Sequence, residues 1–172
     1  MALQLFKIAS VEVATPQATI DFTSIPSGYT DLIIVCSIRD TINSGASPGQ
    51  GALRFNGDSA NNYSRRYVRG NGSTADSSFA SSVSAFIWRV EQPNGATANT
   101  FGSTTLYIPN YTSSNYKSIS MDNVTENNAT EAHAELATGL WNSTSAITSI
   151  SLLSASSANM MTNSTFTLYG VL

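Results

Sequence analysis

Thr30-Asp31-Leu32-Ile33-Ile34-Val35-Cys36-Ser37-Ile38-Arg39 alternates along its length, with Leu32, Ile34, Cys36 and Ile38 on one side and Ile33, Val35, Ser37 and Arg39 on the other. Successive side chains of an extended chain point to opposite faces, so one face of this run is wholly apolar and the other partly so. A strand with apolar residues on both faces belongs in the middle of a sheet, and Cys36 is read there as a small buried hydrophobe. The segment 30–39 therefore sets the expectation of a β-protein whose core is built around it.

The same period of two recurs on either side. Leu5, Lys7, Ala9, Val11 and Val13 alternate with Phe6, Ile8, Ser10 and Glu12 until Pro16 closes the run, and Ile20 with Phe22 marks a second strand. Leu53 and Phe55 lead into Asn56-Gly57, a pair that accepts positive φ at both central positions of a tight turn. Strands are expected again at Tyr63–Arg69, Val83–Val90, Ser103–Ile108, Lys117–Asn123, Ala132–Leu140, Ile147–Leu153 and Thr165–Leu172. Thr130–Leu140 has a helical alternative, because Ala with Glu131 and Glu135 also carries helical propensity. Thr41–Gly51 and Asn71–Ser81 are rich in Gly, Ser and Asn and read as long loops. Ile25-Pro26-Ser27-Gly28-Tyr29-Thr30 is echoed by Ile108-Pro109-Asn110-Tyr111-Thr112, as two equivalent corners would be. About ten short strands with regular turn signals predict one all-β domain over residues 1–172, an antiparallel β-sandwich of the jelly-roll kind.

Composition limits what such a domain does. Ser, Thr and Asn supply 61 of the 172 residues and only 19 are charged, so solubility rests on hydroxyls and amides. The net charge of −3 gives no basic face for nucleic acid. The longest apolar run, Leu32–Cys36, is far too short to span a bilayer as a helix. Met1-Ala-Leu-Gln-Leu-Phe-Lys7 has no basic leader or cleavage site, and the expectation is a product made in the cytoplasm without a signal peptide. One cysteine excludes an internal disulfide and a Cys-rich zinc site. G-x-S-x-G and H-E-x-x-H are missing, so neither an enzyme nor a cofactor or metal is expected.

Positive charge concentrates in Tyr63-Ser64-Arg65-Arg66-Tyr67-Val68-Arg69. On a strand, Tyr63, Arg65, Tyr67 and Arg69 share a face suited to cation–π contact and carboxylate forks, which makes these four, with adjacent Arg66, interface candidates. His133 between Glu131 and Glu135 would share one face and reads as a polar surface. Asp58-Ser59-Ala60-Asn61-Asn62 lacks the spaced carboxylates of a calcium loop and reads as a turn that caps the next strand. Trp88 sits in an apolar run and is assigned to the core. Trp141 follows a strand end and is taken as exposed, a possible glycan contact.

Ile20-Asp-Phe-Thr-Ser-Ile25-Pro26, Tyr29-Thr-Asp31-Leu32-Ile-Ile-Val35, Leu53-Arg54-Phe55-Asn56-Gly57-Asp58 with Asn62-Tyr63-Ser64, and the ending Ser164-Thr-Phe166-Thr-Leu168-Tyr169-Gly170-Val171 resemble virion structural proteins of tailed bacteriophages. The resemblance implies a β-sandwich module on the particle, located on the virion as a head decoration or cement protein or as part of a tail or fibre. It implies partners among other virion proteins, either the major capsid protein or tail proteins, and no enzymatic activity. Virion symmetry further implies a homo-oligomer such as a trimer. A tail or fibre component recognising a host glycan is the first alternative, and an esterase or glycosidase carried on the virion is the second.

Overall fold

The computed structural model describes residues 4–42, 49–91, 93–128, 132–155 and 157–172, with 89–91 described by backbone alone. The described residues form twelve strands: β1 Leu5–Glu12, β2 Thr19–Phe22, β3 Asp31–Ile38, β4 Gly49–Phe55, β5 Tyr63–Gly70, β6 Ala75–Val83, β7 Phe86–Glu91, β8 Gly102–Ile108, β9 Lys117–Thr125, β10 His133–Trp141, β11 Ile150–Ser154 and β12 Thr165–Val171. They pair antiparallel in two sheets, a large one in the order β1-β12-β3-β8-β9-β10-β5-β6 and a small one in the order β2-β11-β4-β7. The expected β-sandwich is present, with twelve strands in place of about ten.

β3 lies between β12 and β8, and Leu32, Ile34, Cys36 and Ile38 are all buried, as their alternation requires. They join one hydrophobic core that includes Val13 near one terminus, Phe55, Trp88 and Leu106 in the middle, and Leu168 near the other. Asn56 and Gly57 adopt φ of 52° and 69°, and the Asp58 N–H donates to the Phe55 carbonyl at 2.9 Å, closing the expected tight turn. This turn joins β4 of the small sheet to β5 of the large one, so it is a corner between sheets and not a hairpin. The echoed Ile-Pro corners also meet, since the Tyr111 hydroxyl donates to the Pro26 carbonyl.

Three segments depart from expectation. Asn71–Ser81 is largely strand, because the Asn71 carboxamide oxygen accepts the Ser73 and Thr74 N–H groups in a short turn and β6 then runs back along β5. Thr41–Gly51 falls partly outside the described residues, but its last three residues open β4. The helical alternative for Thr130–Leu140 fails over its described part, where β10 pairs with β9 and β5 on its two sides.

The two faces of β10 are disposed opposite to the polarity of their residues. His133, Glu135, Ala137, Gly139 and Trp141 point inward, while Ala134, Leu136, Thr138 and Leu140 point to solvent. A strand can satisfy only one choice of inner face, and shifting it by one residue exchanges the two sets. Trp141 decides the choice: its ring packs 5.3 Å from Phe55 and 6.4 Å from Tyr63, and its Nε1 donates to Asp58 at 2.7 Å. Gly139 reinforces it, since a Cβ there would lie 2.3 Å from the Phe86 ring, so the small sheet fits over β10 only at a glycine.

Candidate interaction surface

The inner face of β5 carries the expected alternation of phenols and guanidiniums, but turned into the protein. Tyr63 and Tyr67 are buried. Arg65 lies 5.4 Å from the Tyr67 ring centroid and donates to the Ile87 carbonyl at 2.6 Å. Arg69 lies 5.7 Å from the same centroid and forks onto Asp76 with two bonds of 3.0 Å. Burial works against the Arg69 charge, but the Asp76 fork together with the nearby Tyr67 and Glu135 raises its pKa above the ordinary value. The cation–π contacts and the carboxylate fork read from the sequence are therefore satisfied within the chain. As a solvent-facing interface, the set Tyr63, Arg65, Tyr67 and Arg69 is corrected. Of the five candidates, Arg66 alone points outward, its guanidinium 5.3 Å from the Phe79 ring.

Two further expectations are corrected. Trp141 is 2% exposed, so it offers no platform to a sugar. Glu135 is buried beside Arg69 and does not form a polar surface with His133, while Glu131 lies outside the described residues. Trp88 and Cys36 are buried as expected.

Asp58 is a structural corner. Its carboxylate accepts from Asn62 and the Trp141 indole on one oxygen and from the Ala60 N–H on the other. The Tyr63 hydroxyl donates to the Asp58 carbonyl and accepts the Phe55 N–H, and burial pushes this phenol's pKa up to about 12. Burial would raise the Asp58 pKa, but the hydrogen bonds from Asn62, Trp141 and Ala60, with the charge of Arg54, hold it below the ordinary value. A depressed folded pKa contributes stability above the unfolded value of about 3.9 and loses it as pH falls through the folded value. Asp58→Asn should cost about 1 kcal/mol near neutral pH. In urea titrations its deficit relative to the parent should shrink at about pH 3; an equal deficit at both pH values would remove Asp58 as the titrating group.

What the structure places on the outside is the apolar set of β10 and its neighbours. On the outer face of β8, β9, β10, β5 and β6, exposure reaches 62% at Leu136, 56% at Val68, 47% at Val124 and 65% at Phe79. Cross-strand register gathers them: Leu136 is flanked by Asp122 and Val68, and Thr138 by Ser120 and Arg66, with Phe79 beyond. A shallow depression of about 560 Å³ lies along Leu136, bordered by Val68, Gly70, Ala75, Val124 and Ala134. A second, of about 390 Å³, continues past Leu136 toward Arg66 and Ser120. Among the described residues of these five strands, the only charged ones that point outward are Arg66 and Asp122; the rest are Ser, Thr, Gly, Ala, aliphatic or aromatic. Exposed apolar residues gathered this way, on a face nearly free of charge, mark interaction sites in soluble proteins. The alternation Ala134, Leu136, Thr138, Leu140 was the sequence signal for this patch, but nothing in it said which side of the sheet would hold it.

No protein-family model matches the sequence, and no curated protein matches it. Among solved structures, the chain is similar to a fructofuranosidase variant from Schwanniomyces occidentalis complexed with fructosylnystose, at 11% identity and a TM-score of 0.25, over 98% of this chain and 33% of that one. The chain spans about a third of that enzyme's length.

Proposed function

We propose that this chain is a structural component of a tailed-phage particle, a capsid decoration or cement protein that contacts its neighbours through the outer face of the large sheet. The observation that carries the reading is that face over β8, β9, β10, β5 and β6, with Leu136, Val68, Val124 and Phe79 left exposed among hydroxyl residues and, among the described residues of those strands, two charges. A lone soluble domain gains nothing from leaving these side chains in water, whereas a subunit of a crowded shell buries them against a neighbour. Low charge lets many copies pack with little repulsion. The sequence resemblance supplies the setting. The tail or fibre alternative, in which a glycan is recognised, has lost Trp141, the residue that suggested it.

Copy number and position in purified virions test this reading, measured by quantitative mass spectrometry with particle imaging. Hundreds of copies on the head are expected. A few copies at the tail would transfer the protein to the adsorption apparatus, and absence from particles would end the structural reading altogether.

A further inference from the structure

We infer that the outer face of the large sheet is occupied by a second copy of this chain, packed sheet against sheet across a two-fold axis running along β10. The inference rests on the proposed function for its surface and adds the identity of the occupant. β10 is the middle of the five strands β8-β9-β10-β5-β6, so rotation about it carries β5 of one copy over β9 of the other, and β6 over β8. Three sets of outward residues then meet complementary partners, while Asp122 falls over Val68 of the other copy, one outward position from that copy's Arg66.

The aromatic pair is the first. Register places Tyr107, Ser120, Thr138, Arg66 and Phe79 in one row across the five strands. The rotation sets Phe79 of each copy over Tyr107 of the other, and these residues are 65% and 37% exposed. The charges are the second. Arg66 and Asp122 stand one strand to either side of β10. Rotation brings each Arg66 over Ser120 of the other copy, one outward position from Asp122, about 6.6 Å along the strand and within reach of a guanidinium. The symmetry makes the pair twice. Shape is the third. Val124, Ala134, Gly70 and Ala75 share the row two outward positions from that of Thr138, so Val124 of one copy enters the space above Gly70 of the other, where there is no side chain. Leu136 and Leu140 lie on the axis and meet their own counterparts. An unrelated partner would have to present all three complements, whereas a second copy carries them by symmetry. The five strands offer roughly 600 Å² of projected face before side-chain relief is counted, near the ~800 Å² per partner of a standard interface.

Sedimentation of the purified chain across a concentration series, with circular-dichroism melts to confirm folding, tests the inference. The parent should dimerise, and Leu136→Lys should be monomeric while keeping a cooperative melt, at a lower temperature than the dimeric parent because the coupling of folding to association is lost. Val124→Arg, which overfills the space above Gly70, should also be monomeric, and it serves if Leu136→Lys fails to fold. Arg66→Asp and Asp122→Arg should each weaken the dimer about tenfold or more, and the two together should restore it. A parent that stays monomeric, a dimer indifferent to Leu136 and Val124, or a double charge exchange that does not rescue would overturn the inference. Loss of particle incorporation in Leu136→Lys of a monomeric parent would mean that the face binds a different protein, which sinks the second copy and leaves the proposed function standing. A Leu136-dependent dimer absent from particles would do the reverse.

Discussion

Gly51→Ala is expected to destabilise the fold by about 3 kcal/mol, the upper end of what overpacking a closed core costs. Gly51 pairs with Trp88 across β4 and β7, and the indole lies over it so closely that a Cβ would fall 2.1 Å from Trp88 Cε2 and 2.2 Å from Cζ2. The indole has nowhere to go: Trp88 is 0% exposed and its ring lies 6.3 Å from that of Phe86, which itself rests on Gly139. One added methyl must therefore displace two neighbouring aromatics or push β4 away from β7. Gly28→Ala is the matched control, since a Cβ added at Gly28 would meet nothing within 4 Å and its φ is not in the left-handed region. That change should be neutral or stabilise by up to about 1 kcal/mol through the unfolded chain. Chemical denaturation of the two variants side by side decides the matter; similar midpoints would mean that the Trp88 ring relocates freely.

Arg39→Ala should cost about 3 kcal/mol or more, although this residue touches no candidate surface. Arg39 is 5% exposed, and its guanidinium donates to the carbonyls of Thr97 and Thr100 at 2.8 Å and of Asn94 and Ala96 at 3.0 Å. One side chain thus satisfies four backbone acceptors of the 94–100 segment, which has no strand of its own to hold it. Burial lowers the Arg39 pKa and neighbouring Asp40 opposes the shift, so the cation also offsets the charge of a fully buried carboxylate. Arg39→Lys should recover less than half of the loss, because an ammonium has three donors from one point and cannot span a ring of four carbonyls. Urea unfolding gives the magnitude. Hydrogen exchange should show segment 94–100 losing protection first in the variant, and a cost under about 1 kcal/mol would mean that water replaces the guanidinium adequately.

Much of the architecture was legible because its cause is local. The alternation in 30–39 fixed a central strand, and Asn56-Gly57 fixed a turn through its tolerance of positive φ. β6 was missed because Ala75–Val83 has almost no apolar alternation; it is a strand because β5 offers it a free edge and Arg69 holds Asp76. The role of Arg39 was also invisible, since the carbonyls it binds lie more than fifty residues away in the chain.

The candidate surface separates the two kinds of information most clearly. Sequence alone determined which residues stand together: Tyr63, Arg65, Tyr67 and Arg69 on one side of β5, and Ala134, Leu136, Thr138 and Leu140 on one side of β10. A period of two reads the same from either side, so it cannot say which side faces the second sheet. That was decided by tertiary packing, where Trp141 found Asp58 and Phe55, and Gly139 made room for Phe86. With those contacts made, the arginines and tyrosines of β5 turned inward to one another and the leucines of β10 were left facing water, because neighbouring strands of one sheet cannot choose their faces independently.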